Sequence, residues 1–258
     1  MLRNDRFRKA FRLITSLFGL ARPKTWGPFI ETYKKTRFDH AFEVSWSQGG
    51  EDIGLVNALS GITTGNFLDI GAHHPSRFSV TRKLVELGWS GVNVEANPSL
   101  MHELEKHRPR DVSINAAVGK KSSYELIIFN ETAISTVNEG WASRFSNEGQ
   151  KVESRVNIPG ITVSQICEKH FFLGGGFPNL LCIDAEGSDL EILQTANLRN
   201  DFGPEWILVE ANPPLKSVMQ NDSVRYLVEL DWEIYLILNF SVLLRNVNVL
   251  KSSDKNSR

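Results

Sequence analysis

The sequence is poor in cysteine, with Cys167 and Cys182 the only two, and both sit in patterned apolar segments without metal-ligand spacing. The expectation is a pair of buried free thiols in a reducing compartment, and therefore a cytoplasmic protein. Long apolar runs are also missing: nothing approaches the roughly eighteen residues of a spanning helix. Arginines interrupt the apolar residues of the N-terminus, which argues against a signal peptide. A third absence concerns glycine. No G-x-G-x-x-G follows any strand-like segment, so the cradle that seats a dinucleotide pyrophosphate on a helix N-terminus is lacking.

Charge is unevenly spread. The chain has a net charge of −1, yet residues 1–37 hold ten basic side chains against two acidic ones, a balance of +8 that leaves −9 for the rest. Within this leader Phe7, Phe11, Ile14, Leu17 and Phe18 follow helical spacing beside the arginines. Two readings stand. Residues 1–22 lie as a helix on anionic lipid at the inner membrane face, or they pack on the body with the basic side solvated. A nucleic-acid partner is disfavoured, because no aromatic-and-basic interleaving continues into the body. The expected organisation is a basic helical extension over 1–44, a single domain over 45–250 and a disordered tail over 251–258.

The body alternates strand-like and helix-like segments. NFLDIG reads as a strand and FSVTRKLVELG as a helix stopped by Gly88; SGVNVEA is a second strand, followed by a helix opened by Asn97-Pro98. VSINAAVG reads as a third strand and YELIIFN as another, while the polar stretch 131–155 reads as a long loop. VSQICEKHF, SDLEILQTAN and SVRYLVEL read as helices, and LLCIDAEG and EWILVEANPP as strands. WEIYLILN and SVLLRNV are joined too tightly for a crossover and predict an antiparallel hairpin. The fold class is α/β, a mostly parallel sheet wrapped by helices. VNVEANPSL and ILVEANPPL nearly repeat, as two halves of a doubly wound sheet would.

Ligands of such sheets sit beyond the carboxyl ends of the strands. Asp69 and Gly71 end the first strand, Glu95 the second, and Asp184 the strand LLCIDAEG. Gly71 permits close backbone approach, and Glu95 stands where an acid accepts ribose hydroxyls. With bulky His73, His74 and Pro75 in place of further glycines, a nucleoside cofactor without phosphates, such as S-adenosylmethionine, suits the acidic edge better than NAD.

The series SQGGED, FLDIGAHHP, NVEANP, NAAVG, ISTV and IDAEGSDLEIL, over about residues 45–215, resembles the FkbM-type family of S-adenosylmethionine-dependent methyltransferases. The resemblance implies a Rossmann-like class I methyltransferase fold, with a seven-stranded sheet ending in an antiparallel hairpin. It also implies O-methylation of a sugar, glycan, glycolipid or other hydroxylated small molecule. It places Asp69 and Gly71 on the cofactor loop, Glu95 and Ala96 by the ribose, Asn115 and Ala116 near the adenine, and Asp184 beside the transferred methyl group. Gln48 and Glu51 would close over the cofactor or serve the helix start. Many members continue the first loop with Asn and Gly, so GAHHP is a departure.

Activating a hydroxyl needs a proton acceptor, and His73, ahead of His74, is the candidate base beside Asp184; the competing reading has both histidines bonded to backbone or water. Asp184 and Glu210, at two strand ends, would suit Mg²⁺. Ser188 and Glu191 form the S-x-x-E of a capping box. Trp141, Arg144 and Phe145 stack on a sugar or anchor their loop. The rival functions are an NAD(P)-dependent oxidoreductase and a non-catalytic, membrane-associated module on the same fold.

Overall fold

The computed structural model describes residues 43–171, 176–199, 201–211 and 215–248. The lipid-facing stretch expected over 1–22 and the tail over 251–258 lie outside these residues, as do part of the GGGFPN connector and the second Asn-Pro helix start. All elements below belong to the unit Ser45–Arg258.

Apolar strands flanked by polar turns set the architecture. The strands are Asn66–Ile70 (β1), Ser90–Glu95 (β2), Val112–Asn115 (β3), Ala117–Val118 (β4), Ser123–Phe129 (β5), Val152–Ile161 (β6), Leu180–Ile183 (β7), Trp206–Glu210 (β8), Glu233–Ile237 (β9) and Ser241–Arg245 (β10). Seven of them form one sheet in the order β3-β2-β1-β7-β8-β10-β9. Its neighbours are parallel except for β10, which runs antiparallel to both β8 and β9, so the expected C-terminal hairpin is present. Both central strands β1 and β7 are buried almost throughout, as strands covered on both faces must be.

Alternating side chains feed two cores. Leu68, Ile70, Val94, Ile183 and Val209 point to one face, with Ile166 and Leu193 packed on them. Phe67, Leu180, Cys182 and Leu208 point to the other, against Leu55 and Trp89. The helices are Glu51–Ala58 (α1), Arg82–Glu86 (α2), Met101–His107 (α3), Glu139–Asn147 (α4), Val163–His170 (α5), Asp189–Gln194 (α6) and Asp222–Glu229 (α7). Cys167 and Cys182 are free and buried. No helix among the described residues is long and apolar enough to cross a membrane.

Four local expectations need correction. The stretch 131–155 is not a loop: it holds a 3-10 turn (Thr132–Ile134), helix α4 and the start of β6, which pairs with β5 in a second, three-stranded sheet. VSINAAVG is two strands, since Ala117–Val118 leaves the main sheet to pair with β6. The helix read over FSVTRKLVELG is only Arg82–Glu86, because Phe78 has φ +60° and the Thr81 hydroxyl is used on Asp69. The Ser188–Glu191 capping box does not form. Asp189 caps the turn through the Ala185 N–H, while Glu191 reaches away to the Lys120 N–H and the Tyr124 hydroxyl.

Candidate active site

The chain reverses its direction of travel across the sheet between β1 and β7, and at such a switch point the loops diverge to leave a crevice. Here the crevice is a cleft with about 570 Å³ of empty space, part of it open to solvent. Its base is the end of β1, where the N–H groups of Gly71 and Ala72 both donate to the Val94 carbonyl and draw the loop towards β2. Gly71 has φ +81°, and a Cβ there would overlap the Asp184 carbonyl oxygen, so only glycine fits.

Glu95 is buried at the end of β2, and both carboxylate oxygens are engaged by backbone: Oε2 accepts from the His73 N–H at 2.7 Å and Oε1 from the Asn97 N–H at 2.6 Å. Burial nevertheless pushes its carboxyl up to about 7, because those hydrogen bonds only partly offset the lost hydration. Each oxygen retains a further lone pair for a ligand hydroxyl. Val94, Ala96, Ala116, Val118 and Leu126 make an apolar wall beside it, and Thr132, Ser135 and Thr136 face them from the second sheet's turn.

Asp184, Ala185 and Glu186 line the side nearest β7. Burial, then the charges of Glu210, Glu186 and Asp189, hold the Asp184 carboxyl well above the usual carboxylate range. Asp184 is itself exposed to the cleft. The same crowding, led by burial, brings Glu186 to about 8 and Glu210 to about 7. Glu186 adopts φ +47°, a conformation costly for a residue with a Cβ, and the second sheet fixes it there. The Thr136 hydroxyl donates to the Glu186 carbonyl and the Asn138 amide to that of Gly187. Trp141 packs flat on Gly187.

Of the residues expected at the site, Gly71, His73, Glu95, Ala96, Ala116 and Asp184 surround this one cleft. Asp69 does not join them: its carboxylate accepts the Thr81 hydroxyl at 2.6 Å and lines a smaller neighbouring cavity. The Asn115 amide is turned back to the carbonyls of Glu95 and Ala96, bracing the strand ends instead of facing the cleft. Glu51 is buried on the N–H groups of Gly49 and Phe240, tying α1 to the β9–β10 turn, and Gln48 is exposed away from the cleft lining. His74 Nδ1 accepts from the N–H groups of Ser76 and Arg77, which fixes the tautomer and removes its basic nitrogen from chemistry. Phe145 is a buried anchor against Phe129. Glu210 belongs to the acidic edge. Among the described residues, however, no three histidine, cysteine or acidic side chains gather to hold a metal ion.

Arg108 was not legible as a site residue. Its guanidinium, almost fully buried, donates twice to the Pro75 carbonyl and once to the Ser79 hydroxyl, and stands 3.6 Å from Asp111. It therefore pins the far end of the loop that begins at Gly71. The available signal was its spacing: Met101, Leu104 and Arg108 fall on one helix face, where an apolar residue would be expected.

The arrangement fits S-adenosylmethionine on its own terms. An acid with free lone pairs, a flanking apolar wall and a glycine at close approach are what an adenosine with a charged sulfonium requires. No phosphate cradle competes with that fit.

Among solved structures, an O-methyltransferase from Bacillus cereus in complex with SAH is similar at 13% identity, covering 91% of this chain and 96% of that one, with a TM-score of 0.37. A precorrin-6y C5,15-methyltransferase from Geobacter metallireducens is similar at 13% identity over 75% of this chain and 85% of that one, TM-score 0.38. No curated protein sequence matches the chain. A family model, the Methyltransferase FkbM domain, matches residues 69–231, which run from the first acidic strand end through the whole cleft to the end of α7. The protein belongs to the FkbM methyltransferase family and is an S-adenosylmethionine-dependent enzyme.

Proposed function

We propose that this enzyme is an O-methyltransferase whose acceptor is a hydroxyl of a sugar, glycan or glycolipid. The observation that carries the reading is the position of Asp184, which lines both the cofactor cleft and a smaller neighbouring crevice, partly open to solvent, that Phe78, Ser79 and Ser241 help to enclose. A carboxylate between two cavities is suited to take a proton from an acceptor held in one as it meets a methyl donor held in the other. Phe78 is 40% exposed at this edge, with the Arg77 guanidinium 4.2 Å from its ring centre.

When bound, S-adenosylmethionine supplies an electrophilic methyl group. Glu95 would accept the ribose hydroxyls, and the apolar wall from Val94 to Val118 would exclude water around the base. Asp184 would receive the acceptor's hydroxyl proton on a carboxylate oxygen as the O–CH₃ bond forms and the donor's S–CH₃ bond breaks, leaving S-adenosylhomocysteine, and would later return the proton to solvent. Because burial, and then crowding by Glu210 and Glu186, raise its basicity, Asp184 suits this role better than an ordinary carboxylate. His73 suits it less well, for burial and then the charge of Arg77 push its imidazole down to about 4. Mg²⁺ at Asp184 and Glu210 draws no support from the side chains described, and the steps above are metal-free.

Purified protein is incubated with methyl-labelled S-adenosylmethionine and a panel of methyl glycosides and glycolipids, with Mg²⁺ and with EDTA. An O-methylated product is expected. Asp184→Asn should cut turnover by about 100-fold or more, the usual share of a general base, while donor binding persists. Transfer to nitrogen or to a carboxylate, or undiminished turnover in the variant, overturns the reading.

A further inference from the structure

His73 occupies the second position after Gly71, with φ +50°. Left-handed backbone is uncommon outside glycine, although histidine is among the residues that enter it most readily. Two contacts hold it there. Its N–H donates to Glu95, as described, and its ring crosses the cleft so that Nε2 lies 3.1 Å from the Thr132 hydroxyl. Thr132 begins the 3-10 turn that follows β5, so the contact joins the loop after β1 to the second sheet. A parallel strut joins the same segments: Arg77 donates to both carboxylate oxygens of Glu131, at 3.0 and 2.7 Å. Glu131 in turn accepts from the Ala133 N–H and fixes the turn that presents Thr132. The other ring nitrogen of His73, Nδ1, is buried and makes no hydrogen bond of ordinary geometry, the Arg77 backbone influencing the ring only loosely. A polar atom in that state is costly unless a ligand completes it.

We propose that His73 is a cofactor-positioning residue and not the proton acceptor. With Thr132 it forms a clasp over the nucleoside half of the methyl donor, and its Nδ1 accepts a hydrogen bond from that half. The proposal rests on the donor occupying the cleft. Its internal logic is a matter of tautomers. If Nδ1 accepts from the donor, Nε2 must carry the ring proton and Thr132 must receive it, so the threonine hydroxyl sets the ring in the form that binds. The position beside Glu95 explains why the nucleoside half is the part held. The neutral state imposed by burial keeps this arrangement intact at physiological pH.

Calorimetric titration of the full chain with S-adenosylhomocysteine and with 5′-methylthioadenosine, which lacks the amino-acid half, tests this. Thr132→Val removes the hydroxyl, Thr132→Ser restores it, and His73→Asn keeps a side chain that tolerates left-handed backbone. Thr132→Val and His73→Asn are each expected to weaken both ligands by about 10-fold, the worth of one hydrogen bond. The double variant should lose no more than the worse single one, because the two residues act as a unit. Thr132→Ser should bind as the original protein does. The proposal is overturned if Thr132→Val binds both ligands undiminished, if the two losses simply add, or if only S-adenosylhomocysteine is affected. Failure of the unaltered protein to bind either ligand would instead remove the donor from the cleft, and the clasp with it. Ligand-free melting temperatures identify a variant that has merely lost its fold.

Discussion

Gly71 and Asp184 meet across the switch point of the sheet: the α-carbon of one rests against the carbonyl oxygen of the other, and the Asp184 N–H donates to Ile70 at 3.0 Å. The residue that opens the loop after β1 and the residue proposed to face the acceptor are thus joined through backbone. Gly71→Ala would strain φ and force the two strand ends apart. We expect a loss of more than about 1 kcal/mol of stability, with donor binding abolished. Chemical denaturation and calorimetry on the same sample check both.

Glu95 should make donor affinity depend on pH. With its carboxyl near 7 in the ligand-free protein, part of the population is protonated at pH 6, and a protonated carboxyl accepts ribose hydroxyls poorly. Affinity for S-adenosylhomocysteine is therefore expected to rise between pH 6 and pH 8. Glu95→Gln should flatten that profile and bind about 10- to 100-fold more weakly, the range for hydrogen bonds to a charged group. A flat profile in the unaltered protein would contradict this assignment.

The acidic edge gives stability the opposite slope. Glu186 and Glu210 titrate higher in the folded chain than in the unfolded one, so between about pH 4.5 and pH 8 the folded state binds more protons. The stability these groups contribute is complete below the unfolded carboxyl range and is lost as pH rises through that window. Glu186→Gln removes one of the repelling charges. Its melting temperature should match the original at pH 4.5 and exceed it at pH 8 by about 2–4 °C, the response of a domain this size to about 1 kcal/mol. Scanning calorimetry at the two pH values decides it.

Arg108 bridges Pro75, Ser79 and Asp111 in a buried setting where Asp69 also feels its charge. Arg108→Ala leaves buried carboxylates uncompensated and should cost about 3–5 kcal/mol. Arg108→Lys keeps the charge but cannot reproduce the fork that grips one carbonyl twice. It should fold with intermediate stability and bind the donor loosely, measured by urea titration and calorimetry.

The parallel sheet was readable because β1, β7 and β8 are buried on both faces, which writes them as continuous apolar runs. Gly71, Glu95 and Asp184 were readable for a related reason, as the first polar or flexible residues after such runs. Residues 131–155 were opaque because their helix buries only Ala142 and Phe145 on a mostly polar segment. Asp69 and Asn115 misled because strand-end position does not say which way a side chain turns; Thr81 and two carbonyls had already engaged them. Position 108 and the His73–Thr132 contact were hidden by distance along the chain, 33 residues from Arg108 to Pro75 and 59 from His73 to Thr132.

The segment between the second sheet and α4 holds the turn after β7 by the carbonyls of Glu186 and Gly187 and by Trp141 against Gly187, and touches no side chain of position 186 in doing so. A chuck of that kind holds its bit without regard to the bit's shape. Position 186, whose side chain faces the cleft, can exchange among residues at ease in left-handed backbone while the main chain stays where it is. Position 186 is thereby a place where a side chain lining the cleft can change while the backbone on either side keeps its position.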